Sequence, residues 1–238
     1  MTLIVVFDNN ALDPRLQTGW GFAAWIEYEG NVVLFDTGAD GAVLLDNLSA
    51  LGLKPQAIEA VVLSHIHADH TGGLAAVLAV NPQVTVYLPQ VFPTRFKEQA
   101  RAGGATVVEV TGPIEILPDL WSTGQMGTGL IEQALVARTE EGLVVVTGCA
   151  HPGVDKMVAR AKEIAQDEIA LVVGGFHLGG SSRRRIENII SEFQRLGVQQ
   201  VAPCHCTGEE AKEMFRRAYG EDFFASGVGW QWQSKGSE

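Results

Sequence analysis

Residues 63–73, LSHIHADHTGG, constrain this chain more than any other stretch of it. They place three of the six histidines and an aspartate within six positions, directly after the apolar run AVVL. Such a run is typical of a buried strand, and the double glycine that follows favours a turn into a helix. Imidazoles this close repel one another when protonated and contribute little to a core. We therefore expect a metal ion to hold them together.

The spacing of these residues predicts ligands for two ions. His65 and His67 lie two positions apart, so at the end of an extended strand both project to one side. Asp69 and His70 come where the chain turns, and can face a second position. Zinc and similar ions accept histidine nitrogen and carboxylate oxygen, and two ions about 3.5–4 Å apart can share a hydroxide. We predict two divalent ions, zinc first, with iron or manganese as alternatives.

The other three histidines each follow a predicted strand. His151 comes after GLVVVTG, His177 after IALVVGG and His205 after VQQVAP. Loops at the carboxyl ends of strands commonly gather into functional sites. We predict His151 and His205 as further metal ligands. His177 is either a ligand or a proton donor above the metals, with a buried structural histidine as the alternative.

Strand and helix patterns alternate along the whole chain. Apolar segments around Gly30-Asn31 predict a hairpin with a type II′ turn, and residues 132–148 predict a second hairpin. Helices are predicted near 41–51, 72–80, 93–102, 153–165 and 183–196. This order of hairpin and strand–helix units occurs twice, which favours an α/β fold of two packed sheets with helices outside. Because no linker divides the sequence, we predict one domain over residues 1–238.

Composition narrows the classes of partner. The formal net charge of −11 argues against nucleic acid and anionic membranes, which leaves a small-molecule substrate. Three cysteines do not form a disulfide framework, and the first apolar segment lacks the basic flank of a signal peptide. We therefore expect a cytoplasmic protein. The terminal GWQWQSKGSE predicts a short last strand and then a loose polar stretch.

Four motifs resemble the metallo-β-lactamase superfamily: FDTG at 35–38, HIHADH at 65–70, TGCAH at 147–151 and PCHCTG at 203–208. With GGFHL at 174–178, the later ones are similar to the group of 7,8-dihydropterin-6-methyl-4-(β-D-ribofuranosyl)aminobenzene-5′-phosphate synthases. The resemblance implies a four-layer αββα sandwich of two mixed sheets with a dinuclear site at one edge. It also implies that Asp36 lies beneath the histidine turn and orients the ligands.

The chain departs from the family pattern at TGCAH. Superfamily members usually carry a histidine before a TGD strand, whose aspartate bridges the metals. Here no histidine lies between His70 and His151, and Cys149 stands in the place of the aspartate. An extended segment would point Cys149 and His151 to the same side. We predict His151 as the ligand and Cys149 as a buried neighbour, with ligation by Cys149 left open.

The same argument applies around His205. If that segment is extended, Cys204 and Cys206 point away from the metal side.

Together these features favour a hydrolase in which a metal-bound hydroxide attacks a small phosphate ester or related anion. Asp69 and His177 are the predicted catalytic residues, with His177 protonating the leaving group. The segment GGSSRRR adds the hypothesis that Ser182, Arg183 and Arg184 bind a substrate phosphate at a helix start.

Two other activities stay open on the same scaffold. The resemblance implies a synthase that joins a dihydropterin methyl diphosphate to a ribofuranosylaminobenzene phosphate and releases diphosphate. Histidine and carboxylate ligands also suit an iron-dependent oxidoreductase.

Overall fold

The structure is a computed structural model that describes residues 1–235. The strands in that range are β1 (Thr2–Phe7), β2 (Ala23–Tyr28), β3 (Asn31–Phe35), β4 (Ala60–Val62), β5 (Thr85–Pro89), β6 (Thr106–Val110), β7 (Ile114–Leu117), β8 (Leu120–Ser122), β9 (Leu135–Thr139), β10 (Gly142–Thr147), β11 (Ile169–Gly175), β12 (Gln200–Cys204) and β13 (Gln231–Gln233). The α-helices are α1 (Gly41–Ala50), α2 (Ala68–Thr71), α3 (Leu74–Val80), α4 (Thr94–Ala102), α5 (Val154–Ala165), α6 (Arg183–Arg195) and α7 (Glu209–Tyr219).

The chain forms two compact units, each built on one mixed β-sheet. The first contains Met1–Thr111 and Gly227–Gln233, with the strand order β13-β1-β2-β3-β4-β5-β6. The second contains Gly112–Ser226 and residues 234–235, with the order β12-β11-β10-β9-β8-β7. The predicted α/β class with two mixed sheets and flanking helices is therefore confirmed. The prediction of one domain over residues 1–238 stays a prediction.

In the first unit, the apolar face of the sheet packs against α1 and α3. Trp25, Leu34 and Val61 belong to one buried cluster with Leu44 of α1 and Val77 of α3. Burying each such side chain contributes about 1.5–3 kcal/mol, which holds the helices on this face. Because β3, β4 and β5 pair in parallel, their carboxyl ends lie at one edge of the sheet. The histidine turn follows β4 at this edge.

The β2–β3 hairpin differs from the predicted turn by one residue. Tyr28 pairs with Asn31, so the two central residues are Glu29 and Gly30, with φ of +50° and +80°. Positive φ at both positions is typical of a type I′ turn, and the predicted type II′ turn at Gly30-Asn31 was wrong. A one-residue shift would send the buried side chains of each strand to the opposite face, so burial determines the register.

The predicted helix over 72–80 is also divided differently. A short helix, α2, already begins at Ala68, and Gly72-Gly73 separate it from α3. A Cβ at Gly72 or Gly73 would lie 2.3 Å or 2.2 Å from a backbone oxygen of the segment after β3. The double glycine therefore permits close backbone packing and holds the histidine turn against that segment.

In the second unit, α5 and α6 agree with the predicted helices to within two residues at each end. Phe193 of α6 packs with Phe176 and Phe215, with ring centroids 5.4–5.6 Å apart. The second predicted hairpin is confirmed as β9–β10, whereas the β7–β8 hairpin was not predicted.

At the C-terminus, β13 confirms the short last strand. The polar stretch predicted after it extends over residues 236–238, which lie outside the described range. Within residues 1–235, no helix has both the length and the apolar character needed to cross a bilayer.

Candidate metal centre

The histidine turn of the first unit brings four potential ligands together. His65 Nε2 lies 3.1 Å from His67 Nδ1, and His70 Nε2 lies 3.6 Å from Asp69 Oδ2. Two ligands of one tetrahedral zinc, with bonds of about 2.0–2.1 Å, lie roughly 3.3 Å apart. Both pairs have about this separation, so their geometry fits one ion per pair. The first pair lies in the segment between the end of β4 and α2, and the second pair lies within α2.

Asp36 determines which nitrogens of two of these histidines are protonated. Its Oδ2 accepts hydrogen bonds from His70 Nδ1 and from the Ser64 hydroxyl, both at 2.6 Å. Because the hydroxyl donates its one proton to Asp36, it must accept from His65 Nδ1, which lies 2.9 Å away. His65 and His70 therefore carry their protons on Nδ1. Their Nε2 atoms retain the lone pairs that a metal ion requires.

The position of Asp36 depends on an unusual backbone conformation. It follows β3 directly and has φ of +56°, and its Oδ1 accepts the backbone N–H of Ser64 at 2.7 Å. Asp36, Ser64, His65 and His70 are all completely buried. Because a buried carboxylate is stable only when it is well hydrogen-bonded, this network has little freedom to rearrange.

In the second unit, a buried carboxylate organises the loop that carries His151. Glu132 Oε1 accepts the N–H groups of Cys149 and Ala150 at 2.9 and 2.8 Å, and Oε2 accepts that of His151 at 2.8 Å. Ala150 has φ of +63°, so the segment is not extended as assumed, yet ligand atoms of Cys149 and His151 still lie within 4.8 Å of each other. The sequence reasoning did not identify Glu132. A charged residue at the start of the apolar run EQALVAR was the available signal.

His177 lies beside His151 and two cysteines. The His151 and His177 ring centroids are 4.1 Å apart. Single ligand atoms of Cys149, His177 and Cys206 all lie within 4.8 Å of one another. Hydrogen bonds with Cys149 and with His177, and the charge of His205, lower the pKa of the Cys206 thiol to about 4, although burial opposes this. Contact with Cys206 in turn raises the pKa of His177.

Cys206, which was predicted to point away from the metal side, therefore lies in this cluster with Cys149 and His177. His205 has φ of +48° and begins a 3₁₀ turn, His205–Thr207, so the extended geometry assumed for Cys206 was wrong. The Thr207 hydroxyl donates to Cys204 O at 2.6 Å and accepts the N–H of Phe176 at 3.1 Å. These bonds tighten the turn and join it to the loop that carries His177. His205 itself is almost completely buried, directly after β12.

Two of the three residues suggested for phosphate binding, Ser182 and Arg183, have other contacts. The Ser182 hydroxyl caps α6 by accepting the N–H of Arg185, and Arg183 Nε lies 2.6 Å from Glu210 Oε1. Arg183 lines a groove between α6 and α7. Arg185 instead lines a pocket of the second unit that contains His151.

Sequence comparison identifies the family. The profile of the Metallo-beta-lactamase superfamily matches residues 21–152, more than half of the chain. The chain belongs to the metallo-β-lactamase superfamily. The histidine turn and its Asp36 support, together with the Glu132-bound loop as far as Pro152, lie within the matched region.

Individual relatives agree with this assignment. The chain is 29% identical to the 7,8-dihydropterin-6-methyl-4-(β-D-ribofuranosyl)aminobenzene-5′-phosphate synthase of Methanocaldococcus jannaschii, over 85% of this chain and 86% of that protein. A crystal structure of a metal-dependent hydrolase of the β-lactamase superfamily matches with a TM-score of 0.84 and 30% identity, covering 99% of this chain and 100% of that one. The predicted resemblance and the metallo-β-lactamase fold are therefore confirmed.

A solved diphosphatase is similar in fold alone. Its TM-score is 0.65 at 17% identity, over 97% of this chain and 96% of the other.

Proposed function

We propose that this protein is a metal-dependent hydrolase acting on a small phosphate ester or a related anionic molecule. The observation that carries the proposal is the pair of contacts from Ser64 to His65 Nδ1 and from Asp36 to His70 Nδ1, from which we infer that both histidines carry their protons on Nδ1. In a neutral imidazole this leaves Nε2 as a lone-pair donor. Two buried histidines prepared in this way are suited to binding metal ions rather than to filling a core.

We propose two divalent ions, zinc first and iron or manganese as alternatives. When bound, such ions supply a hydroxide nucleophile near neutral pH and offset negative charge on the substrate. The proposed ligands share imidazole or carboxylate chemistry and are His65, His67, Asp69, His70, His151 and His205. Cys149, buried beside His151, is proposed as a neighbour of the ligands.

His177 is the proposed proton donor. Its contact with Cys206 raises its pKa, so the imidazolium persists to higher pH than in a free histidine. Its side chain is exposed, and its ring centroid lies 4.1 Å from that of His151, so a leaving oxygen bound near His151 can reach it. Asp69 is the second proposed catalytic residue, since a partly buried carboxylate can accept a hydrogen bond from the attacking water.

We propose a reducing compartment such as the cytoplasm, because three cysteines are an odd number and do not make a disulfide framework.

A synthase is the second candidate, favoured by the 29% identity with the M. jannaschii enzyme. The two activities share a requirement, because both need negative charge on a leaving phosphate or diphosphate to be neutralised. They differ in the acceptor, which is water for a hydrolase and an organic phosphate for the synthase.

The test begins with elemental analysis of the purified protein. The apoprotein is then reloaded with zinc, iron or manganese and assayed with phosphodiesters, phosphomonoesters and lactones, with oxygen uptake measured in parallel. We expect two metal equivalents and turnover of a phosphate ester that His177→Ala reduces by about 10²–10⁴-fold. Oxygen uptake without hydrolysis would instead identify an iron-dependent oxidoreductase, and failure to bind metal would exclude all three activities.

A further inference from the structure

The second unit contains an open pocket of about 630 Å³ beside His151. Its lining consists of one glycine-containing loop, the turn before α5, and side chains of two helices: Met126, Gly127, Thr128, Gly129, Leu130, His151, Pro152, Lys156 and Arg185. The pocket therefore joins a proposed metal ligand to a polar, solvent-accessible surface.

Two cationic side chains from different helices line this pocket. Lys156 lies in the first turn of α5 and Arg185 in the first turn of α6. Both are exposed, and among residues 1–235 neither forms a salt bridge with a carboxylate. In a chain with a net charge of −11, two uncompensated cations facing one pocket create a local site for an anion.

The loop that lines the same pocket presents unused backbone donors. Met126 and Glu132 exchange backbone hydrogen bonds of 2.9 and 3.0 Å and so close the loop 127–131. Within the described chain, no backbone N–H of residues 127–131 donates to a protein acceptor. Gly127 has φ of +100°, and a Cβ there would lie 2.7 Å from Leu130 O and 3.3 Å from Pro152 Cγ. Glycine is needed for this compact loop, whose free N–H groups can bind an anion.

We propose that this pocket is a subsite for a phosphate monoester group carried by the substrate. A phosphate monoester has a charge of about −1.5 to −2 at pH 7, which matches one lysine and one arginine, and its three oxygens can accept their N–H donors together with those of the loop. The inference rests on the proposed function, since it assigns the phosphate to the molecule that is turned over beside His151. It places phosphate binding at Lys156 and Arg185 instead of at Ser182, Arg183 and Arg184.

The test uses ribose 5-phosphate as the probe and metal-loaded protein. Its Kd is measured by calorimetry for the wild type, Lys156→Gln, Arg185→Gln and Arg183→Gln. The matched control is Arg195→Gln, which removes one positive charge from the same helix at a position already paired with Glu192. We expect the Lys156 and Arg185 variants to weaken binding by about tenfold or more, as for loss of a charge-assisted hydrogen bond. The Arg183 and Arg195 variants should stay within about twofold of the wild type.

Two further measurements separate the possible failures. Ribose without phosphate should bind equally weakly to all variants, and Lys156→Arg should retain most of the affinity because it keeps the charge. Equal Kd values for the wild type, Lys156→Gln and Arg185→Gln overturn the subsite, as does a loss confined to Arg183→Gln. If binding depends on Lys156 and Arg185 but no ester is hydrolysed, the subsite is supported while the proposed hydrolase activity fails.

Discussion

Asp36 and Glu132 are buried carboxylates that act on histidine-bearing loops without being proposed ligands themselves. Asp36 fixes the protonation of side chains through His70 and Ser64. Glu132 fixes the backbone conformation of residues 149–151 by accepting hydrogen bonds from their three consecutive N–H groups. At the scale of single residues, a buried carboxylate therefore holds a histidine-bearing loop in each unit, and both residues allow direct tests.

Asp36→Asn should weaken metal binding. The asparagine side chain has one oxygen, so its amide group must face either the backbone N–H of Ser64, or both the Ser64 hydroxyl and His70 Nδ1. Loss of such an outer hydrogen bond typically costs about 10–100-fold in metal affinity. Competition with a chelator measures the effect, and Asp46→Asn, the same change at an exposed position of α1, is the control. Unchanged affinity in Asp36→Asn would show that the tautomers are set in another way.

Glu132→Gln should lower the free energy of unfolding by about 1.5–3 kcal/mol, the typical contribution of a hydrogen bond to a buried charged group. The amide can accept from only one side of the loop, so at least one of its N–H groups loses its acceptor. Denaturant titration measures the change. Glu163→Gln, at an exposed position of α5, should change stability by no more than about 0.5 kcal/mol. A similarly small effect at Glu132 would contradict its role in the loop.

At the scale of residues, the sequence predicted where the histidines lie along the chain better than it predicted which side chains contact them. Each histidine could be placed by counting from the end of an apolar strand, and His177 and His205 indeed follow β11 and β12 within two residues. Cys206 and Glu132 could not be found in this way. Their contacts depend on left-handed backbone at Ala150 and His205, which local sequence preference does not indicate for alanine or histidine.

Among the elements, α6 shows how one apolar face fixes a helix. Ile186, Ile189, Ile190 and Phe193 are buried, and the residues between them are mostly exposed. Its start is defined by the Ser182 cap. Long amphipathic elements of this kind could be predicted to within two residues. Short ones, such as the four residues of α2 and the β7–β8 hairpin, carry too few positions for a period to be recognised.

Phe193→Ala should cost about 3–5 kcal/mol of stability, since it removes one of the three mutually packed rings of Phe176, Phe193 and Phe215 and leaves a cavity. Gln194→Ala, the next residue on the exposed side of the same helix, should have little effect. The difference between their denaturation midpoints measures the contribution of the aromatic cluster. Equal stabilities would show that the surrounding side chains refill the space.

The contact between α4 and β6 should make stability depend on pH. Lys97 Nζ lies 2.6 Å from Glu109 Oε2, and Arg101 lies 3.1 Å from Oε1. These contacts, Lys97 first, lower the pKa of Glu109 below its usual 4.5. A lowered pKa in the folded state contributes stability above the unfolded value, and this stability is lost as pH falls through the folded value.

Comparison of about pH 6 with pH 3 tests this dependence. The wild type should lose more unfolding free energy over this interval than Glu109→Gln, which has no carboxylate to protonate. Glu98→Gln, an exposed change on α4, should behave like the wild type. Parallel losses in the wild type and Glu109→Gln would contradict the assignment.

For the molecule as a whole, the fold could be predicted because two independent signals agreed. The repeated order of hairpin and strand–helix units favoured two mixed sheets, and HIHADH with its companion motifs resembled one superfamily, which the profile match confirms. The exact turn of the first hairpin and the course of the 147–151 segment could not be predicted. Both depend on packing between residues far apart in sequence.

Metal removal should destabilise the entire protein if the proposed ligands bind ions. With free metal about 100-fold above Kd, binding to the folded state adds about 2.7 kcal/mol, which for a chain of this size raises the thermal midpoint by roughly 5–10 °C. Calorimetry with and without chelator measures the shift, and Asp36→Asn should show a smaller one. Identical midpoints for the wild type in both conditions would argue against bound ions.

Seven residues other than glycine have positive φ among residues 1–235, and four of them, Asp36, Ala150, His177 and His205, lie in the loops of the candidate centre. Such a conformation costs on the order of 1–3 kcal/mol for each residue. Glycine would relieve the cost, but it would also delete the orienting carboxylate of Asp36, the proposed proton donor His177 or the proposed ligand His205. Only at Ala150 would glycine relieve the backbone strain without removing a polar side chain. Substitutions in these loops can therefore do little to raise the free energy of unfolding. Stabilising substitutions are expected in the sheets and helices that hold the loops.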